Sequence, residues 1–491
     1  MIPYKTIIKL DKDTKQALYL QVANQFIELI KKGMIAPKTK LPSSRLLAET
    51  LQVHRRTIVA AYDELILQGW VETIPKKGTF VHRDLPILKQ KALGSLSKGV
   101  HKERIGFSFN KEPGIDFPVF DKKENFLYIN DGTPDARLAP LPEIAKIYRR
   151  IAAKKRSIPY ATYHSTYGNP ELRQALAQYL NQTRGLRCTK DNVMITRGSQ
   201  MGIYLLSQLL LQEKEYIIVG ETNYIAANIT FLNRGAQLLR IPVDHNGIVT
   251  EAVEELCKKH PVKAIFVTPH HHHPTTVTLS AERRLHLLNL SQTYGFAIIE
   301  DDYDYDFNYS HAPILPLASH DKNGNVIYIG SVCKAVAPVY RIGYLVAPKP
   351  FVDECAKLRR FIDRQGDSLL EYAFAYFIKE GGMERHLKKT LKIYKKRRDL
   401  FCTLLKTELK DYFNFEIPKG GMAIWAVLNA KYKWEDLVVL AEKHELEIGN
   451  WQRYDSAKIG HNGIRFGFAA YNEEEIHEVI HRLKQSCLGL L

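Results

Sequence analysis

A stretch near the middle of the chain, residues 297–344, contains an amine, a carboxylate, a phenol, a hydroxyl and a guanidinium in close succession. Two short β-like runs, at 296–299 and 326–329, each end in polar residues, and open parallel α/β sheets bind their ligands at such strand ends. The five side chains that follow the two runs are Asp301, Tyr303, Ser331, Lys334 and Arg341. We therefore expect these groups to meet at one edge of a sheet.

Together the five groups are what a bound pyridoxal phosphate requires. Lys334 would form the Schiff base with the aldehyde, and Asp301 would hold the pyridinium proton that makes the ring an electron sink. Tyr303 would hydrogen-bond the ring hydroxyl, while Ser331 and Arg341 would hold the phosphate. Any one of them alone could be a solvated surface residue, but five complementary groups at two strand ends favour a cofactor site.

The motifs EDDYD, SxxK and RxGY, in this order, resemble the cofactor site of fold-type I aminotransferases. From Tyr128 onward strands and helices alternate, which predicts an α/β domain with a parallel-rich sheet. The segment TYGNPELRQALAQYL is similar to an early helix of that family, and the part after Pro350 resembles its small C-terminal domain. The resemblance implies an aminotransferase-like domain over residues 128–491, with the small part at about 351–491.

Further cofactor contacts follow from the same reading. The strand MIT enters a helix at Ser199 and Gln200, and the backbone amides of a helix start suit a phosphate, so both join the phosphate candidates. The resemblance places Tyr224 where an aromatic ring stacks on the cofactor. Ser199 as a plain helix cap and Tyr224 as a core residue are the competing explanations.

Four consecutive histidines, residues 270–273, raise the hypothesis of a metal site. Neighbouring side chains cannot readily all face one ion, so we predict no metal site. The segment resembles the TPxHQxPxG loop of aminotransferase-like regulators, with His272 where Gln is usual and Thr276 where Gly is usual. The resemblance brings His273, or His271, close to the cofactor ring hydroxyl.

Two arginines of the C-terminal part are candidates for an effector carboxylate. The resemblance places Arg465, in IRFGFA, at the position of the arginine that takes the substrate carboxylate. Arg453, in WQRY, lies where some related regulators bind an effector carboxylate. A surface ion pair is the alternative for either residue, and the more probable one for Arg453.

Residues 1–82 carry a second signature. Apolar residues recur at helical spacing over 19–35, and two short helical segments follow, separated by a turn at 52–54. WVETIPKKGTFV then predicts a hairpin. LPSSRLLAETL, VHRRTIVAAYDEL and GTFV resemble the winged helix-turn-helix of GntR-family bacterial regulators, which implies an all-α and winged domain that binds operator DNA.

Basic residues of this domain are candidates for DNA contacts. The first turn of the second short helix should reach base edges in the major groove, and basic residues elsewhere should bind phosphates or the minor groove. The candidates are Arg45, Arg55, Arg56, Thr57, Lys76, Lys77 and Gly78. A solvated helix charge is an equally good reading for any single arginine.

Composition is consistent with a DNA-binding protein of the cytoplasm. The formal charge is +17, and residues 1–82 hold 13 basic against 7 acidic residues, a net of +6. Such an excess suits a polyanionic partner. Six scattered cysteines without a CxxC pair argue for reduced thiols, and no apolar run approaches the roughly 20 residues of a membrane span.

A winged helix at 1–82, a flexible linker at 83–127 and an aminotransferase-like domain at 128–491 form the layout of the MocR/GabR subfamily of regulators, which the chain resembles over nearly its whole length. The resemblance implies a homodimeric, pyridoxal phosphate-dependent transcriptional regulator whose effector is an amino acid, an amine or a vitamin B6 compound. Two alternatives are a working aminotransferase with an accessory DNA module, and a DNA-binding protein whose large domain only dimerises.

Overall fold

The structure is a computed structural model that describes residues 2–85, 107–109, 123–310, 314–455 and 458–490. The chain divides into two compact units, Met1–Asn110 and Lys111–Leu491. Most of the predicted linker, residues 83–127, lies outside the described residues. Among the described residues, no helix is both long and apolar enough to cross a bilayer.

The N-terminal unit is built from four helices and a two-stranded hairpin. They are α1 (Tyr4–Ile7), α2 (Leu18–Lys31), α3 (Ser44–Leu51), α4 (Arg55–Leu67), β1 (Val71–Ile74) and β2 (Gly78–Val81). Ser43 starts α3 as its N-cap, because its hydroxyl accepts a hydrogen bond from the Leu46 amide at 3.2 Å. Gln52 ends α3 in the left-handed conformation, with φ at +53°, which makes the tight turn into α4.

Apolar side chains hold this unit together. Val22, Phe26, Leu47, Ile58 and Leu65 are fully buried in one cluster. The strands β1 and β2 pair antiparallel around the turn at residues 75–77, as the predicted wing requires. Helix-turn-helix and wing therefore form one small core, with the polar first turn of α4 left outside it.

The C-terminal unit alternates helices and strands. Its helices are α5 (Leu141–Ala152), α6 (Pro170–Arg184), α7 (Ser199–Leu210), α8 (Ile225–Asn233), α9 (Thr250–Lys259), α10 (Ala281–Tyr294), α11 (Leu317–His320), α12 (Val332–Ala335), α13 (Lys349–Arg359), α14 (Ser368–Lys379), α15 (Gly382–Glu408), α16 (Trp434–Lys443) and α17 (Glu473–Leu488). Its strands are β3 (Leu127–Ile129), β4 (Val193–Thr196), β5 (Tyr216–Gly220), β6 (Gln237–Ile241), β7 (Val243–Asp244), β8 (Gly247–Ile248), β9 (Val262–Val267), β10 (Ala297–Asp302), β11 (Val326–Ser331), β12 (Gly343–Val346), β13 (Phe413–Asn414), β14 (Ala423–Leu428), β15 (Leu446–Ile448) and β16 (Gly463–Gly467).

Seven strands form the central sheet, in the order β4, β12, β11, β10, β9, β5 and β6. The pairs from β11 to β6 are parallel, and β12 runs antiparallel to both its neighbours. Most side chains of these strands are buried, except on the edge strand β6, as expected of a sheet covered by helices on both faces. The predicted parallel-rich α/β sheet is confirmed.

A smaller layer follows in the C-terminal part. Strands β13, β14 and β16 form an antiparallel sheet, and β15 pairs with β3 from the start of the unit. Helices α15, α16 and α17 pack beside these strands around a separate core that contains Trp434, Phe466 and Leu483. The pairing of β14 with β16 fixes the position of Arg465, opposite Trp425.

Candidate functional site

The ends of β10 and β11 bring the predicted catalytic groups together. The two strands are parallel neighbours, with Asp301 in register with Ile329, and Ser331 ends β11. Helix α12 starts directly after Ser331 and carries Lys334, whose Nζ donates a hydrogen bond to the Gly132 carbonyl at 2.5 Å. Burial lowers the pKa of Lys334, which increases the neutral, nucleophilic fraction of its amine.

Asp301 is a buried acceptor that no donor of the described residues satisfies. Its side chain is 4% exposed, and its Oδ1 has no hydrogen-bond partner. Burial raises the pKa of Asp301 to about 8, and the carboxylates of Asp302 and Asp304 add to the effect. A pyridinium N–H would supply the missing donor, so this carboxylate fits the ring nitrogen of pyridoxal phosphate.

The start of α7 forms a candidate phosphate cradle. Gly198, with φ at +79°, precedes the helix, and a Cβ at this position would lie 2.8 Å from the Arg341 guanidinium. Strand β12 connects the parts, since Gly343 is in register with Ser331 on one side and Thr196 on the other. The structure thus brings Ser199, Ser331 and Arg341 to one place, beside free amides of a helix N-terminus.

Two of the predicted phosphate residues also have structural roles. The Ser331 hydroxyl accepts from the Cys333 amide at 3.1 Å and so caps α12. Gln200 donates its side-chain amide to the Thr230 hydroxyl at 2.8 Å, which joins α7 to α8, while its Oε1 has no partner among the described residues. Gln200 therefore anchors the cradle rather than pointing its amide into it.

Aromatic rings line the middle of the site. Tyr224 lies at the start of α8, with its ring centroid 5.2 Å from that of His273 and nearly perpendicular to it. Tyr303 also packs against His273, at 6.0 Å between ring centroids. The Tyr303 hydroxyl donates to the His271 carbonyl at 3.0 Å and accepts from Arg465 Nη1 at 3.3 Å. The three predicted ring contacts therefore form one cluster.

The four histidines face different partners. Three of them contact carboxylates, in the pairs His270 with Asp302 at 3.1 Å, His271 with Asp304 at 2.7 Å and His273 with Asp131 at 3.2 Å. His272 Nε2 donates to the Thr222 carbonyl at 3.1 Å, and burial lowers the pKa of His272 to about 4. Thr276, at the usual glycine position, adopts the left-handed conformation with φ at +64°.

Arg465 and Arg453 share one carboxylate, that of Asp131. Arg465 is 2% exposed and its Nε lies 2.8 Å from Asp131 Oδ1, while Arg453 Nη2 lies 3.8 Å from Oδ2. Although burial opposes it, the neighbouring His273, Arg465 and Arg453 lower the pKa of Asp131. Asp131 is absent from the residues predicted from the sequence. It lies in the segment INDGTPD, residues 129–135, where an acidic residue in a loop with Gly and Pro is the only local signal.

The DNA-binding candidates lie on the surface of the N-terminal unit. Arg55 and Arg56 are exposed on the first turn of α4, and Arg55 Nε reaches the Ser44 hydroxyl on α3 at 3.4 Å. Arg45 is exposed on α3, whereas Thr57 is half-buried. Lys76 and Lys77 are exposed at the tip of the wing, next to Gly78 with its φ of +117°. Helix start and wing tip thus both present cations.

Comparison with known families identifies both units. The family described as aminotransferase class I and II matches residues 122–483, and the family described as bacterial regulatory proteins, gntR family, matches residues 18–81. The chain belongs to the aminotransferase class I and II family and carries a GntR-type DNA-binding domain in front of it. The predicted combination, that of MocR-type regulators, is confirmed, and family membership makes pyridoxal phosphate the cofactor.

Regulators and enzymes are both among the similar proteins. The chain is 27% identical to the probable rhizopine catabolism regulatory protein MocR of Rhizobium meliloti, over 99% of this chain and 96% of that protein. It is 26% identical to the HTH-type pyridoxine biosynthesis transcriptional regulator PdxR of Corynebacterium glutamicum, over 96% of each. The structure of Pyrococcus horikoshii kynurenine aminotransferase superimposes with a TM-score of 0.72 and 26% identity, over 78% of this chain and 98% of that one.

The buried carboxylate of Asp301 predicts a measurable pH dependence. Because its pKa in the folded, cofactor-free protein is raised to about 8, the fold retains a proton that the unfolded chain releases near pH 4. Its contribution to the free energy of unfolding therefore falls as the pH rises between these values. Between pH 6 and pH 8.5 the wild type should lose roughly 2 kcal/mol of its free energy of unfolding through this carboxyl group, and Asp301→Asn should not show that loss. Urea unfolding at the two pH values measures the difference.

A control variant and a measurement of cofactor affinity accompany this test. Asp411→Asn changes an exposed carboxylate and should leave the pH dependence as in the wild type. Asp301→Asn should also weaken binding of pyridoxal phosphate, because the ring nitrogen loses its ionic partner. A cofactor affinity and a pH profile that both match the wild type would show that Asp301 is not the ring partner.

Proposed function

We propose that the protein is a pyridoxal phosphate-dependent transcriptional regulator, which binds operator DNA through its N-terminal unit and senses an amino acid, an amine or a vitamin B6 compound in its C-terminal unit. The observation that carries the proposal is the buried, unsatisfied Asp301 carboxylate at the strand end next to the one that leads to Lys334. A protein that used this unit only as a dimerisation scaffold would have no need for an unsatisfied buried carboxylate, which costs stability.

One side chain of the site would react with the cofactor, and the others would hold it. When bound, pyridoxal phosphate supplies an aldehyde that a primary amine can attack and a ring that accepts electrons. Lys334 contributes the primary amine, and its lowered pKa keeps part of it neutral. Asp301 holds a proton at the ring nitrogen, and Ser199, Ser331 and Arg341 hold the phosphate. Tyr224, His273 and Tyr303 orient the ring and exclude water.

In the N-terminal unit, the exposed arginines Arg55 and Arg56 at the start of α4 are placed to reach the major groove. Arg45, Thr57, Lys76, Lys77 and Gly78 are proposed to contact phosphates or the minor groove. Since phosphate contacts position a protein and base contacts specify the sequence, the helix start should determine which operator is bound.

Assembly and location belong to the same proposal. We propose a homodimer, because paired winged helices would bind two half-sites of one operator, as the layout implies for this subfamily. Operator DNA as the partner places the protein in the cytoplasm.

A working aminotransferase is the second candidate. It is favoured by one specific observation, namely that Lys334, Asp301 and a buried arginine, Arg465, occupy the places that the aminotransferase resemblance assigns to catalysis. The sensor is preferred because the carboxylate site at Arg465 is already in contact with Asp131. As a sensor, the protein would bind its ligand without efficient turnover.

Sensor and enzyme differ in two measurements. Offered a set of amino acids, amines and B6 compounds, a sensor should change its affinity for operator DNA by a coupling of about 1 to 3 kcal/mol, with slow or no release of a keto product. Fluorescence anisotropy of labelled operator gives the first quantity, and chromatography of the products gives the second. Multiple turnovers at ordinary enzyme rates, with DNA affinity unchanged, would favour the enzyme.

A further inference from the structure

The loop that follows β3 contacts both Lys334, the candidate Schiff-base lysine, and Arg465, the candidate carboxylate-binding arginine. Asp131 places its carboxylate against Arg465 and His273, and the next residue, Gly132, offers its carbonyl to Lys334 at 2.5 Å. Gly132 has φ at +78°, and a Cβ there would lie 3.3 Å from Arg465 Nη2, so the backbone is pressed against the guanidinium. The loop therefore covers the position at which a ligand carboxylate would bind.

The contact between Asp131 and Arg465 is electrostatic rather than a well-formed hydrogen bond. Although Asp131 Oδ1 and Arg465 Nε are 2.8 Å apart, neither atom has a hydrogen-bond partner among the residues that the structure describes. Arg465 Nη1 donates instead to the Pro274 carbonyl and the Tyr303 hydroxyl, both at 3.3 Å. Asp131 thus neutralises the arginine without using its donors fully, and a third of its own side chain, 31%, is exposed.

We propose that Asp131 is a specificity-determining residue, an internal carboxylate that competes with the carboxylate of a ligand for Arg465 and shifts the effector preference of this site toward amines without a carboxylate. This inference rests on the proposed sensing function and names the effector class. A ligand carboxylate must displace Asp131 from Arg465. The apparent affinity of the ligand is therefore reduced in proportion to the fraction of time during which Arg465 is free of Asp131. An amine without a carboxylate leaves the pair intact.

The charges around Asp131 favour the same preference for amines without a carboxylate. With Asp131 in place, the two guanidiniums and His273 face one carboxylate, so a second carboxylate enters beside a like charge. Asp131→Asn keeps the shape but removes that charge, and Arg465 is then left without an anionic partner. A ligand carboxylate should restore the ion pair, with two aligned donors where Asp131 uses none.

The first test is calorimetric titration of the full-length, cofactor-loaded protein with succinate, which carries carboxylates but no amine. Asp131→Asn should bind succinate at least tenfold more tightly than the wild type, and Asp131→Glu, which keeps the charge, should bind like the wild type. Adding Arg465→Ala to Asp131→Asn should remove the gain. Equal succinate affinity in the wild type and Asp131→Asn would overturn the proposal.

The second test compares L-alanine with ethylamine, which differ by the carboxylate alone, through the visible absorption of the bound cofactor. The ratio of their dissociation constants should shift at least tenfold in favour of L-alanine in Asp131→Asn, with less than threefold change for ethylamine. An equal change for both ligands would refute the assignment. Asp131→Ser serves as a second variant, and succinate should raise its melting temperature more than that of the wild type.

These measurements contain no DNA, so they are independent of the proposed regulation. Operator titrations of the same variants test that part. A DNA affinity that no ligand changes would reject the sensing function, while the shift in carboxylate affinity would still establish Asp131 as the competitor for Arg465.

Discussion

Lys334→Ala should abolish covalent attachment of pyridoxal phosphate and the visible absorption that depends on it. The amine of Lys334 is the group positioned at the strand end for this reaction, and the neighbouring side chains in SVCKAVAPVY have no primary amine to replace it. Borohydride reduction followed by peptide mass analysis should find the cofactor on Lys334 in the wild type and on no peptide in the variant. Asp301, Ser331 and Arg341 should still retain it noncovalently.

The same variant should bind operator DNA but lose its response to an effector, because the covalent exchange that favours one conformation can no longer occur. Lys349→Ala is the matched control, since it removes an exposed lysine that pairs with Asp353 on the surface. This control should keep both the absorption and the response. Cofactor trapped on another lysine, or an unaltered effector response in Lys334→Ala, would contradict the central assignment.

The second large effect concerns DNA binding. A chain of residues 84–491 should lose sequence-specific operator binding, because the winged helix-turn-helix carries the cations that face DNA. For the full chain, the logarithm of the binding constant should fall linearly with the logarithm of salt concentration, by roughly 0.9 for each phosphate contact. Anisotropy titrations between low and physiological salt give the slope for both proteins.

Single substitutions separate the two kinds of contact. Arg56→Ala, on the first turn of α4, should cost about 1 to 3 kcal/mol and relax the preference at one base pair. Lys77→Ala, at the wing tip, should weaken binding to all sequences and reduce the salt slope by about 1. Retention of operator specificity with the full salt slope by residues 84–491 would place the DNA site elsewhere.

The fold and the cofactor were predictable because each rests on local patterns. Helical spacing of apolar residues announces α2 and α4, and buried β-like runs announce β10 and β11. The predicted strands end too early, by three residues at β10 and by two at β11, because the polar residues after each apolar run continue the strand. A carboxylate inside a buried strand is unusual, and the proposed contact of Asp301 with the cofactor ring nitrogen gives a reason for it.

Contacts between distant parts of the chain were not predictable in this way. Asp131 meets Arg465 across 334 positions, and no local pattern couples a loop after β3 to a strand near the C-terminus. The carboxylate partners of His270 and His271 are hidden for the same reason, since Asp302 and Asp304 lie more than 30 positions further along the chain. Gln200 was assigned by its place at a helix start, whereas its partner Thr230 lies on the next helix.

The position of β12 affects the order in which the protein can mature during synthesis. The phosphate cradle joins residues of β4 and β11 through a strand that ends at Val346, and Arg465 is made later still. The N-terminal unit depends on its own short-range contacts and can fold while the rest is being translated. A ribosome-bound chain can therefore have a finished DNA-binding unit before it has a ligand site, and the proposed control by an effector would begin only with the completed protein.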